Sequence, residues 1–272
     1  MIFLMGGEPL LYRKFDEVVS YVKSQGLECH VTTNAILIPE HIETLKKVDL
    51  LMVSLDGNKN GNDLNRGRGA FEKTTHGLEV AKANGIPLRI NCVLTKNNIG
   101  DVEWLLDYAD KLGAYVGFTI PAKCAALNQM SNMIMSHDEV ISVHKQLLAL
   151  KKQGRKITLS ERSLNHVINY PRRFDELIYK SDLSHEEVYT NECPYGRFVV
   201  FINAEGYIYP CTTLWEYPSV FEPKNLFIHG FDEALRNAQE LPCWICYCAG
   251  GPEWDNMSSI AGIFDALKFA LS

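Results

Sequence analysis

The sequence predicts an α/β protein: a partial, TIM-barrel-like (β/α)6 barrel followed by a small α+β domain organised around cysteines. Two observations carry that reading. Over the first 120 residues, short apolar runs alternate with amphipathic stretches, the pattern of βα units and a parallel sheet. After Pro121 that rhythm breaks, and five of the eight cysteines crowd into the last third of the chain. The expected parts are a barrel portion over residues 1–125, a helical connector over 126–188 and a cysteine domain over 189–272.

The elements follow in order. "IFLM" reads as a strand at the very start, and a helix from about Tyr12 to Gln25 stops at Gly26. "ECHVTT" is the second strand, with a short helix after Pro39, and "LLMVSLD" is the third. A helix from about Ala70 to Asn84 is closed by Gly85 and leads into "LRINCVL". The helix from Asp101 to Leu112 stops at Gly113 before "AYVGFTI". Ser136 to Glu139 form a capping box that opens a helix ending near Gly154. A polar connector runs on to about Glu192. "RFVVFINAEGYIYPC" reads as a β-hairpin with Gly206 at positive φ in the turn, and "MSSIAGIFDALKFALS" as a packing helix.

Composition narrows the function classes. A net charge of −6 argues against nucleic-acid binding, which needs a concentrated basic face. No uninterrupted apolar stretch reaches membrane-spanning length, and residues 1–5 lack the features of a signal peptide. A cytoplasmic protein is expected, with thiols as ligands or core residues and not as disulfides. The eight histidines include no i, i+4 pair, so each reads as solvated or core.

Ligands of parallel β/α folds sit at the carboxyl ends of the strands. The first strand ends in Gly6-Gly7-Glu8-Pro9, the second in Thr32-Thr33-Asn34, and the third in Ser54-Leu55-Asp56-Gly57. "LNRGRGAF" then offers Arg66 and Arg68. Polar groups at three successive strand ends suit a small zwitterionic ligand with a hydroxylated part.

"GGEPLL", "TTNA", "SLDG" and "RGRGAFEKTTHGLEVAKANGI", in that order, resemble the radical S-adenosylmethionine (radical SAM) enzymes over roughly residues 1–120. The resemblance implies SAM as cofactor, with its amino group held at Gly6, Gly7 and Glu8, and Asn34, Ser54 and Arg66 serving its ribose and carboxylate. It also implies reductive cleavage of SAM to a 5′-deoxyadenosyl radical, an external electron donor such as flavodoxin or ferredoxin, and a peptide or small-molecule substrate. The family's CxxxCxxC loop, which binds the [4Fe–4S] cluster that reduces SAM, is absent from this sequence, and Cys29, Cys92 and Cys124 have no such spacing. The chain is therefore expected to begin at the second barrel strand and to be inactive alone. A protein that only binds SAM or a partner is the competing expectation.

The tail carries its own metal pattern. Cys193 is followed by twelve residues, Gly206, four more residues and Cys211; thirty-one residues later comes Cys243-Trp-Ile-Cys246-Tyr-Cys248. Thiolates so placed grip one metal centre from a turn and a hairpin. The spacing is similar to the one-cluster (twitch) form of the SPASM-type auxiliary extension of radical SAM proteins. That resemblance implies one [4Fe–4S] cluster on Cys193, Cys211, Cys243 and Cys246, with Cys248 a spare or alternative ligand. A structural zinc site on the same cysteines is the alternative.

Overall fold

A computed structural model describes residues 1–121, 132–174, 176–182, 193–215, 220–241 and 243–248. Cys124 and the expected C-terminal helix lie outside these residues. Contacts divide the chain into two units: residues 1–121, 132–134 and 149–158 form one, and residues 122–131, 135–148 and 159–272 the other. The expected connector is thus shared between the units.

In the first unit, β1 (Ile2–Leu4), β2 (Cys29–Thr33), β3 (Leu50–Ser54), β4 (Leu88–Val93) and β5 (Tyr115–Thr119) form one parallel sheet in the order β1-β2-β3-β4-β5. The α/β class predicted from the sequence is the one observed. Sequential order follows from the βα alternation, because each helix returns the chain to the edge just built. Beyond β5 a parallel bridge joins Val116 to Ile157, so a rudiment of a further strand comes after the fifth. Val31, Leu51, Val53, Ile90, Val116 and Phe118 fill the core.

The helices are α1 (Phe15–Ser24), α2 (Ile42–Leu45), α3 (Lys59–Arg66), α4 (Ala70–Ala83) and α5 (Val102–Leu112). Gly113 closes α5 in the left-handed region at φ +75°, as its position after an apolar helix predicts. The first helix starts at Phe15 and not at Tyr12, because Pro9–Leu11 form a separate 3-10 turn capped by Glu8. Helix α3 went unread. Its sequence has no apolar stripe, and it forms because Asn58 accepts from the amides of Asn60 and Gly61.

Helix α6 (His137–Lys152) opens on the expected capping box: Ser136 N–H donates to Glu139 Oε2 at 2.6 Å and Glu139 N–H to Ser136 Oγ at 3.2 Å. In the second unit, α7 (Glu161–Ile168) is followed by β6 (Ile178–Tyr179). β7 (Phe201–Ile202) and β8 (Tyr207–Tyr209) make the expected hairpin, with Gly206 at φ +88°. Then come α8 (Thr212–Trp215), β9 (Lys224–Asn225), α9 (Leu226–His229), α10 (Phe231–Gln239) and β10 (Cys243–Ile245). β9 pairs with β8, and β10 with β6. Ile208, Leu214, Phe221, Ala234, Ala238 and Cys243 pack into one core. Among the described residues no helix is long and apolar enough to cross a membrane.

Candidate functional sites

The first candidate site lies at the carboxyl ends of β1, β2 and β3. Gly6 has φ +146°, a conformation that favours glycine, and a Cβ at Gly6 or Gly7 would meet nothing within 4 Å. The backbone there is open to a ligand. Glu8 is half-buried and committed to its own chain. Its Oε1 accepts from the Thr33 hydroxyl at 2.7 Å and the Leu10 amide at 3.2 Å, and its Oε2 from the Asn34 amide at 2.8 Å. Hydrogen bonds to a charged group contribute about 1.5–3 kcal/mol each, enough to fix the end of β1 against the end of β2.

Asn34 uses its side-chain oxygen on the Ile36 amide, and its carbonyl accepts from the Thr74 hydroxyl. Ala35 beyond it is held at φ +71°, with Gly77 of α4 so close that a Cβ there would lie 2.2 Å from the Ala35 carbonyl oxygen. Glycine at position 77 thus lets α4 seat this turn. Ser54 is the half-buried last residue of β3, opposite Asn91 of β4.

Arg66 turns toward Asp56 of the same strand end. Its Nη2 donates to Asp56 Oδ1 at 3.1 Å, and its Nε lies 2.8 Å from Oδ2 but off the hydrogen-bond direction. Asp56 is 3% exposed and also accepts from the Val93 amide at 2.8 Å. Sequence reasoning named Arg66 and missed that its partner is a buried carboxylate of this chain. It also missed Asn98, whose amide donates to the carbonyls of Asp56 and Val93 and ties β3 to β4. Neither pairing leaves a local mark in the sequence. The cleft lined by Asn58, Lys59, Asn60, Asp63, Phe71 and Trp104 contains none of the six predicted SAM residues.

The second candidate site is the cysteine region. Burial, foremost, pushes the Cys193 and Cys211 thiols up to about 12, and the charges of Cys243 and Cys248 bear on both. Cys193 also feels Cys211. Cys246 is pushed well up by its hydrogen bond to the Cys248 thiol and by burial. The five cysteines therefore share one neighbourhood.

Backbone amides work in the opposite direction. The amides of Tyr195, of Thr213 and Leu214, and of Cys248 pull the thiols of Cys193, Cys211 and Cys246, respectively, back down. That influence favours thiolate, the form in which cysteine binds metal. The donor set fits a thiolate-ligated group. Among the described residues no group of three or more Cys, His, Asp or Glu side chains is arranged to hold a metal ion.

A residue that sequence reasoning set aside also appears here. His166 Nε2 lies 2.8 Å from the Cys246 carbonyl oxygen, and burial holds its pKa below the ordinary value. The two residues are 80 positions apart, so no sequence pattern links them.

Residues 1–109 match the model of the radical SAM superfamily. Members of that superfamily use SAM and an iron–sulfur cluster. Similarity to relatives runs beyond that stretch. The AdoMet-dependent heme synthase of Methanosarcina barkeri is 29% identical over 282 residues, covering 92% of this chain and 76% of that enzyme. The AdoMet-dependent heme synthase of Nitratidesulfovibrio vulgaris is 24% identical, covering 78% of this chain and 60% of that enzyme. Among solved structures, Streptococcus suis SuiB superposes with a TM-score of 0.63 at 16% identity, over 96% of this chain and 64% of SuiB. That likeness is one of fold.

Proposed function

We propose that this chain forms the SAM-binding and auxiliary-cluster parts of a radical SAM enzyme of the heme-synthase kind, acting on a porphyrin precursor. The supporting observation is the 29% identity to the Methanosarcina heme synthase over 92% of the chain. The likeness to SuiB is one of fold and lends no weight to a peptide substrate.

The chain's own residues have defined tasks in this reading. The open backbone at Gly6 and Gly7 accepts the amino end of SAM, and Glu8 orients that backbone through its bonds to Thr33 and Asn34. Asn34 and Ser54 present hydrogen-bonding groups to the ribose and carboxylate. Arg66, anchored on Asp56, supplies positive charge beside them. When bound and reduced, SAM supplies the 5′-deoxyadenosyl radical that abstracts hydrogen from substrate. The working enzyme takes its CxxxCxxC loop from residues outside these 272, and its electron from a donor such as flavodoxin or ferredoxin in the cytoplasm. Cys193, Cys211, Cys243 and Cys246 hold one [4Fe–4S] cluster.

Anaerobic titration with SAM and an assay for 5′-deoxyadenosine test this reading. These 272 residues should bind SAM and release no 5′-deoxyadenosine, and a form that carries the cluster loop should release it and convert the porphyrin. Release of 5′-deoxyadenosine without porphyrin turnover would remove the substrate assignment. No SAM binding by either form would remove the whole reading.

A further inference from the structure

Asp56 is held by every polar group it has. β3 ends at Ser54, so the N–H and C=O of Asp56 lie beyond the sheet ladder. Two buried asparagines serve them there. Asn62 Oδ1 of α3 accepts from the Asp56 N–H at 3.0 Å, and Asn98 Nδ2 donates to the Asp56 carbonyl at 2.6 Å.

Asn98 is itself locked in place. Its Nδ2 also donates to the Val93 carbonyl at 2.8 Å, and its Oδ1 accepts from the Thr95 N–H at 2.7 Å. Carbonyls only accept and a backbone N–H only donates, so these contacts fix which end of the Asn98 amide is nitrogen. The turn that follows grips the same loop again. Asp101 accepts from Asn58 Nδ2 at 2.6 Å and from the Asn58 N–H at 3.2 Å. A Cβ at Gly57 or Gly61 would run into Asp101 Oδ2, so these two glycines let the turn seat against the loop.

With its backbone fixed on both sides, Asp56 has an aimed carboxylate. Oδ1 accepts from the Val93 N–H at 2.8 Å and from Arg66 Nη2 at 3.1 Å, and Oδ2 lies 2.8 Å from Arg66 Nε. Among the described residues Arg66 Nε has no hydrogen-bond partner, and the guanidinium fork has donors to spare for a ligand carboxylate.

We infer that Asn98 is a positioning residue for SAM: by fixing the Asp56 backbone it sets how the Asp56 carboxylate holds the Arg66 fork, and so how well Arg66 meets the carboxylate of SAM. The inference rests on the SAM reading of Arg66. A guanidinium recognises a planar carboxylate through alignment, so turning the fork costs affinity for that group and spares the adenosyl and amino contacts.

The test uses the full 272-residue chain as wild type, Arg66→Ala and Asn98→Ala. Each is titrated anaerobically with SAM and with decarboxylated SAM, which keeps the amino group and lacks the carboxylate. Wild type should bind SAM more tightly than the analogue, and Arg66→Ala should erase that preference. Asn98→Ala should weaken SAM binding about tenfold, a loss the size of one charge-assisted hydrogen bond, and leave binding of the analogue as in wild type. Unchanged SAM binding in Asn98→Ala would overturn the inference. Equal weakening toward both ligands would overturn it too, since that is the mark of a residue that only holds the loop together. A wild type without preference, or Arg66→Ala that keeps it, would overturn the SAM reading of Arg66, a separate failure that carries the inference with it. Should Asn98→Ala not fold, Asn62→Ala frees the N–H of Asp56 in place of its C=O, and the same two ligands decide by the same outcomes.

Discussion

Asp56 sits almost wholly out of water, and a carboxylate so placed keeps its charge only with partners. Arg66 and the Val93 amide provide them. An exposed ion pair contributes about 0–1 kcal/mol, whereas removing one member of a buried pair costs about 3–5 kcal/mol. The Arg66 side chain retains 25% exposure, which puts this pair between the exposed and the fully buried case. Arg66→Ala should therefore lower the free energy of unfolding by about 2–3 kcal/mol, read from urea denaturation. An unchanged urea midpoint with lost SAM binding would show that Arg66 serves the ligand alone. That Arg66 matters was legible from its place after the third strand. That it is braced by Asp56, ten residues earlier, was not, because both lie in loop-flanked segments whose facing is set by α3.

At the scale of elements, α6 shows what a strong local pattern conveys. Its capping box was readable and forms as expected, and Val140, Val143 and Leu147 on its inner face are buried. His144 lies on the same stripe, 2% exposed, with Nδ1 2.7 Å from the Val140 carbonyl oxygen. Burial holds its pKa below the ordinary 6.5. The unfolded chain therefore takes up a proton near that pH which the folded chain refuses until lower pH. This contribution to stability is present above about pH 6.5 and is lost as pH falls toward the folded pKa. The thermal midpoint of wild type should drop between pH 7.5 and 5.5 by more than that of His144→Gln; equal drops would exclude His144 as the source. Helix α7 was missed for the opposite reason. Its eight residues provide little more than two turns, and its buried face comprises only Ser163, Leu164 and Val167.

At the scale of the whole molecule, the sheet and the cysteine region each depend on residues distant in sequence. Cys193 and Cys246 are 53 positions apart, yet the Cys193 amide donates to the Trp244 carbonyl at 3.0 Å, which fastens the first cysteine to the last loop. Under anaerobic reconstitution, Ser replacement at Cys193, Cys211, Cys243 or Cys246 should abolish most bound iron and sulfide. Cys248→Ser should retain the cluster, because Cys248 is read as a spare thiol and not as one of the four ligands. Equal loss from Cys246→Ser and Cys248→Ser would make both sulfurs ligands. One zinc per chain, with no sulfide, would replace the cluster by a structural ion.

The sequence by itself determined the class of fold, the order of the parallel strands, the polar strand ends and the five candidate metal ligands. All of these rest on short-range regularities: apolar period, glycine at helix ends, and spacing between cysteines. Only the tertiary structure decided that Glu8 spends its carboxylate on Thr33 and Asn34, that Arg66 faces Asp56, and that the stretch read as a plain connector grips the cysteine loop through His166. Those are contacts between segments brought together by packing. A buried polar group takes whichever partner the fold delivers, and sequence separation carries no record of that choice.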